Sequence, residues 1–444
     1  MRGLNVIKSE RLREFLFVYT AVILAAAVTM MDMDSCLLIS AAAVPAVAAV
    51  ALNAIKNQNW LYLCFYALSA EVYYVMVLCI YGIKGTETSW RFVYARDEYN
   101  EVSLRFIMIS LMLLSLVYLF FLYGRDNFFK EEKTEFNVSR FRGMIFIAVY
   151  AVILLYYAVM TPAMGMRLYS STPNIMILSL LRVCCLLGWV LLPKAQGDMR
   201  KLLTAECFVG ALITTLLALN GYRFILFENV IMIAILNLSR LKKIKLSTWA
   251  VMIVFVIIFY ILLTVLKARL AGRELAGVVF SHEKNLFYSL NAIIANMGSE
   301  RLETYLSTLK NLLPKALTGS RDLNTGGMLM KYINYEMFLQ NSVTMGGYYL
   351  TEAYANLHEA GVYIVSLAFG IFFALLERRR SSGKACSVLF ISIYYGFIAQ
   401  SYTFVYYGSS NYVKFLVYYI LFAFVILLPV STAAARFRKK KRQI

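Results

Sequence analysis

The chain has 444 residues, of which 61% are hydrophobic and 16% charged, with a formal net charge of +19 and a mean hydropathy of +0.67. That balance excludes both a soluble globular domain and a disordered chain. It also makes the positive charge a question of topology before one of nucleic-acid binding, because polytopic membrane proteins keep Lys and Arg in their cytoplasmic loops.

A helix needs about 20 mostly apolar residues to cross the hydrocarbon. In chain order, about twelve segments qualify on that measure: 14–31, 35–54, 60–83, 104–124, 143–161, 174–193, 202–219, 223–239, 247–266, 359–377, 386–407 and 412–434. The first follows a basic start and resembles a signal peptide around Leu24-Ala-Ala-Ala-Val, but an uncleaved helix suits so many later spans better. Asn220-Gly221-Tyr222 is a tight turn between two spans. Alternate connections carry the basic residues: Arg2 to Arg13, Lys56, Arg125 to Arg142, Lys194 to Lys201, Arg240 to Lys245, Arg378 to Lys384 and Arg436 to Arg442. This alternation predicts both termini in the cytoplasm.

The expected architecture is an all-α, polytopic helical bundle in a membrane with one large external loop. Residues 1–266 form about nine spans, on the same length criterion. Residues 267–358 form the loop on the outer, periplasmic side. Residues 359–444 hold the last three spans and a basic tail. Inside the loop, Ser299 to Leu317 reads as an amphipathic helix with Leu302, Tyr305, Leu306, Leu309, Leu312 and Leu313 on one face, suited to the membrane interface. Thr318 to Gly327 is too glycine-rich for regular structure and could move as a lid. All seven cysteines lie in or beside apolar stretches and read as small hydrophobes.

Several residues could carry chemistry. Arg223 opens a helix at its outer end, where free N–H groups already favour an anion and a guanidinium adds a planar fork for phosphate oxygens. The plain alternative is an arginine snorkelling to headgroups. Arg269 and Arg273, four residues apart, share a helical face and could clamp a diphosphate, or mark an ordinary membrane boundary. His282 and His358 are the only histidines, and either could take a proton from a sugar hydroxyl. Glu352, Tyr354 and Asn356 lie near His358. Glu71 and Arg182 fall mid-span, where an ionisable group is functional or paired, and a Glu71–Arg182 ion pair is the plain reading. Asp32-Met-Asp34 is better read as turn punctuation than as a metal motif. The chain shows no P-loop, dinucleotide fingerprint, zinc-protease helix or nucleophile elbow.

These features together resemble the O-antigen polymerase (Wzy-type) family of the wider O-antigen polymerase and ligase superfamily. The resemblance is carried by about a dozen spans, one dominant external loop late in the chain, and two local patterns. Asn220-Gly221-Tyr222-Arg223 is similar to the small-residue-plus-arginine turn that opens a helix there. Glu352-Ala-Tyr354-Ala-Asn356 is similar to the Glu-x-Tyr-x-Asn stretch before a glycine-containing span; members often carry an aromatic residue and then glycine where Leu357 and His358 stand. The resemblance implies a metal-independent enzyme of the bacterial inner membrane that needs no cofactor. It would join undecaprenyl-diphosphate-linked oligosaccharide repeat units on the outer face. Arg223, Arg269 and Arg273 are expected near the diphosphate, and His282, Glu352 or His358 as the base. Tyr222, Arg321, Tyr354 and Asn356 are expected as substrate or lid contacts. Lipid-linked repeat units and the membrane are the implied partners, with a chain-length regulator and a flippase beside them and no nucleic acid. A ligase of the same superfamily and a flippase are the rivals. Transporters usually have short loops and internal repeats, and this chain shows neither pattern.

Overall fold

The computed structural model describes residues 2–29, 33–81, 95–123, 140–163, 175–192, 195–219, 223–238, 262, 265, 281–312, 325–333, 348–381 and 388–427. Among the described residues the regular elements are all helical, fourteen α-helices and one 3-10 turn. They are α1 (Arg2–Thr29), α2 (Met33–Lys56), α3 (Trp60–Tyr81), α4 (Asn100–Phe121), α5 (Arg140–Ala163), α6 (Ile175–Leu191), α7 (Gly197–Leu219), α8 (Arg223–Leu238), α9 (Ser281–Asn296), α10 (Thr304–Lys310), α11 (Thr325–Ile333), α12 (Tyr349–Ser381), α13 (Val388–Tyr407) and α14 (Ser409–Leu427). Seven of them are long and apolar enough to cross a membrane: α1, α2, α3, α4, α5, α7 and α12. The expected span 247–266 and the tail beyond 427 lie outside the described residues, apart from Leu262 and Val265.

Large apolar side chains point away from the protein. Leu38 is 74% exposed, Val152 67%, Leu155 66% and Phe208 65%. In water such faces would cost transfer free energy; against lipid they do not, so the helices suit a membrane.

The chain divides into two compact units. The first holds residues 1–129, 257–382 and 401–414. Its centre is α4, which packs against α1, α2, α3, α9 and α12. From Ser103 to Leu119 nearly every side chain of α4 is buried, the pattern of a helix apolar all round. Several buried hydroxyl groups inside this unit find partners, which offsets the cost of holding them in an apolar interior. Tyr349 and Ser110 meet at 2.9 Å, Ser366 donates to Ser110 at 2.6 Å, and Tyr66 meets Ser115 at 2.7 Å.

The second unit holds residues 130–256, 383–400 and 415–444. It contains α5 to α8, where α5 packs on α6 and α7, and α8 on α6 and α7. Tyr150 of α5 is buried between Cys185 of α6 and Gly210 of α7, where a Cβ would collide with its hydroxyl.

Two expectations inside 267–358 are corrected. The helix expected over 299–317 spans only Thr304–Lys310 within its described part. The Leu302 N–H is committed to the Ala355 carbonyl at 2.8 Å, which holds the chain across α12 before a helix can begin. Thr325-Gly326-Gly327, expected to be irregular, opens α11. Glycine costs least in a first turn, and the helix is carried by Leu329, Met330 and Ile333, all buried. The rest of the glycine-rich stretch, 318–324, lies outside the described residues.

Candidate functional site

The site is built on a bend in α12. The helical path breaks at Leu357 (φ −137°, ψ 15°) and His358 (φ 52°, ψ −143°). A positive φ with that ψ is glycine territory, and holding a histidine there costs on the order of 1–3 kcal/mol. The bend folds a short arm, 349–356, back on a long arm, 359–381. Gly361 permits the approach, because any Cβ there would collide with the Ala353 carbonyl oxygen.

Polar groups from the 281–312 segment close over the short arm. Glu352 is 1% exposed. Its carboxylate accepts from the Thr304 hydroxyl at 3.0 Å, the Ser409 N–H at 2.7 Å and the Ser409 hydroxyl at 2.6 Å. Ser409 is the first residue of α14, so the carboxylate also faces a helix N-terminus. Asn356 donates to Thr304 at 2.6 Å and to the Glu352 carbonyl at 2.7 Å. From α9, Ser289 meets Thr351 at 2.9 Å, while Asn291 accepts from the Arg96 N–H at 2.8 Å and donates to the Arg96 carbonyl at 2.9 Å. In α10 the faces are divided. Thr304, Ser307 and Thr308 are buried towards Glu352 and Ser409, while Leu306 (45%) and Leu309 (58%) are exposed. Burial pushes the Tyr305 phenol well above its ordinary range, with Glu352 and Tyr349 adding to the shift.

On the other flank of the bend, the His358 ring meets Tyr354 edge-on at 5.6 Å between centres, and Tyr354 packs against Phe106 at 5.6 Å. Arg105 of α4 reaches Glu359 at 3.8 Å and lies 5.2 Å from the Phe106 ring centre. A carboxylate and an amide thus stand on one flank of the bend, and a phenol, an imidazole and a guanidinium on the other. Such a set can bind hydroxyl-rich and anionic groups and move a proton at an imidazole nitrogen.

Glu352 and Asn356 are therefore brought together through Thr304, and Tyr354 and His358 through their ring contact. His282 is placed as the second residue of α9 and Arg223 as the first of α8; for these two the backbone alone is described, and Arg223 belongs to the second unit. Tyr222, Arg269, Arg273 and Arg321 lie outside the described residues. Sequence reasoning missed Arg105, Ser409 and Thr304. Arg105 falls at the start of the expected span 104–124 with no local motif to mark it, and Ser409 sits beside Gly408 (φ 73°), a turn signal that gives no partner.

The mid-span ion pair is corrected. Arg182 pairs with Glu228, not Glu71: its Nε donates at 3.0 Å and one Nη makes a second, short bond to the same carboxylate. That Nη also donates to Gln400 at 2.8 Å, and the guanidinium stacks 4.4 Å above Phe415. Glu71 accepts from the Tyr406 hydroxyl at 3.3 Å. Of the Asp32-Met-Asp34 pattern, Asp34 falls in the first turn of α2 and Asp32 lies outside the described residues. Among the described residues no group of three or more His, Cys, Asp or Glu could hold a metal ion.

No family model, curated protein or solved structure matches this chain. Fold and site define an all-helical protein, with helices fit to cross a membrane and a polar cluster at a bent helix.

Proposed function

We propose that the chain is a polysaccharide polymerase of the cytoplasmic membrane. It joins undecaprenyl-diphosphate-linked oligosaccharide repeat units by glycosyl transfer on the outer face. One observation carries the reading: His358, in a backbone conformation suited to glycine, stands at the bend of α12 with its ring edge-on to Tyr354, and the bonded Glu352 and Asn356 precede it on the short arm. Strain of that kind persists where surrounding structure enforces it, and it clusters at functional sites.

In this account the acceptor sugar hydroxyl gives its proton to the His358 imidazole as its oxygen bonds to the anomeric carbon of the donor glycan. The bond from that carbon to the diphosphate oxygen breaks with its electron pair. Cationic side chains stabilise the departing charge, the role that the resemblance implies for Arg269 and Arg273. Glu352 is not the base here. Its oxygens are occupied by three donors, whereas His358 is half-buried at the edge of the cluster.

The test is incubation of the purified chain with lipid-linked repeat units. A ladder of longer glycans is the expected product, and His358→Ala should leave single units while the protein still inserts. Translocation without elongation would make the protein a flippase, and transfer to lipid A core without a ladder would make it a ligase.

A further inference from the structure

We infer that Arg105 and Glu359 form an exchangeable anion site at the bend of α12, in which Glu359 holds the place of a phosphate-bearing ligand. The choice of phosphate rests on the reading above; the exchange itself does not.

Arg105 is oriented before any ligand arrives. It projects from the second turn of α4, whose neighbours Leu104 and Phe106 are buried. Its own side chain is 23% exposed and is stacked against Phe106. A guanidinium held this way loses little further freedom on binding, and its planar fork suits two phosphate oxygens. The carboxylate it faces is the weaker half of the pair. Glu359 is 59% exposed and stands at 3.8 Å, beyond the 2.7–2.9 Å of a good charge-assisted hydrogen bond. An exposed pair of that length is weak, so a doubly charged ligand can displace the carboxylate at small cost. The contrast with the buried Arg182–Glu228 pair is direct. There the carboxylate is 1% exposed and bonded through two nitrogens, and no ligand could replace it cheaply.

The site adjoins the bend by chain and by packing. Glu359 follows His358, and Tyr354 touches both His358 and Phe106. A phosphate on Arg105 therefore lies beside the imidazole, where a leaving group should be. Arg105 acts as a positioning residue for that group.

The test is equilibrium binding of farnesyl diphosphate, inorganic pyrophosphate and farnesol to the full-length protein in detergent. Farnesyl diphosphate should bind, Arg105→Ala should weaken it by about tenfold or more, and Arg105→Lys should weaken it less, since it keeps charge but loses the fork. Glu359→Gln should tighten binding by about three- to tenfold, because the competing charge is gone. Pyrophosphate binding as tightly as farnesyl diphosphate would assign the anion to a free phosphate; a requirement for the prenyl chain would assign it to a lipid headgroup. Farnesol binding as tightly as the diphosphate, or equal affinity in the wild type and Arg105→Ala, overturns the site. Unchanged or weaker binding in Glu359→Gln overturns the exchange, and that surface substitution keeps the test decisive if Arg105→Ala misfolds. Diphosphate binding without any glycan ladder would remove the polymerase reading and leave the site.

Discussion

The two ends of α12 each bury a glutamate, and they use it differently. At the far end, Glu377 (0% exposed) pairs with Arg380 at 3.1 Å and accepts the Leu61 and Tyr62 N–H groups at 2.8 and 3.3 Å, capping α3. Arg380 also donates to the Gln58 carbonyl. Charge is matched by charge and by a helix N-terminus within a few residues of the basic run Arg378 to Arg380. At the bend, the bonds Glu352 accepts among the described residues come from two hydroxyls and an N–H, in parts of the chain distant in sequence. The first arrangement fixes two helices; the second fastens the 301–312 segment and the start of α14 over a strained bend. Each end holds one non-glycine residue at positive φ, Gln58 (55°) beside Arg380 and His358 (52°) at the bend, and the candidate chemistry sits at the second.

The comparison breaks first at Glu377. Glu377→Ala leaves Arg380 buried without its carboxylate and uncaps α3, which should cost on the order of 3–5 kcal/mol, seen as lost thermal stability or failed insertion in detergent-solubilised protein. A loss below about 1 kcal/mol would mean the pair is no more than a surface contact.

Glu352→Ala should act locally. Three bonds to a charged acceptor are lost, for a cost of roughly 2–4 kcal/mol after the freed donors re-solvate. A cysteine at Ser307, which is buried and packed to this side, should label at least about tenfold faster with a polar thiol reagent in that background, because local opening controls access. Equal labelling would show that Glu352 does not fasten α10.

The smallest effect sharpens the same end. The Tyr332 phenol is pushed up to about 12, first by its hydrogen bond to Glu300 and then by desolvation, joining α11 to the 297–303 turn. The folded value is raised, so this contribution is complete below the ordinary tyrosine value of about 10 and is lost as pH rises towards 12. Glu300→Gln should return the Tyr332 absorbance titration towards about 10, and a titration unchanged by Glu300→Gln would remove the bond.

Most helices were legible because apolar runs of span length leave few options. The expected 60–83, 143–161 and 223–239 differ from the observed ends by at most three residues. The bend in α12 was not legible. Ala353, Ala355, Leu357 and Ala360 are good helix formers, and only Gly361 hinted at a close approach. The partner of Arg182 was hidden for another reason: depth along a helix can be counted, but the direction a side chain faces depends on how α6 and α8 pack. Of the proposed site, the Glu352-Ala-Tyr354-Ala-Asn356 stretch was visible. Its donors Thr304 and Ser409, 48 and 57 residues away, were not, since nothing local marks a residue that acts across the fold.

The most direct measurement is made on His358→Gly. Glycine takes the observed φ of 52° freely, so the variant should be more stable by about 1 kcal/mol or more. The account predicts that this better-folded protein yields no glycan ladder from lipid-linked repeat units. A wild-type ladder from the stabilised variant would contradict it.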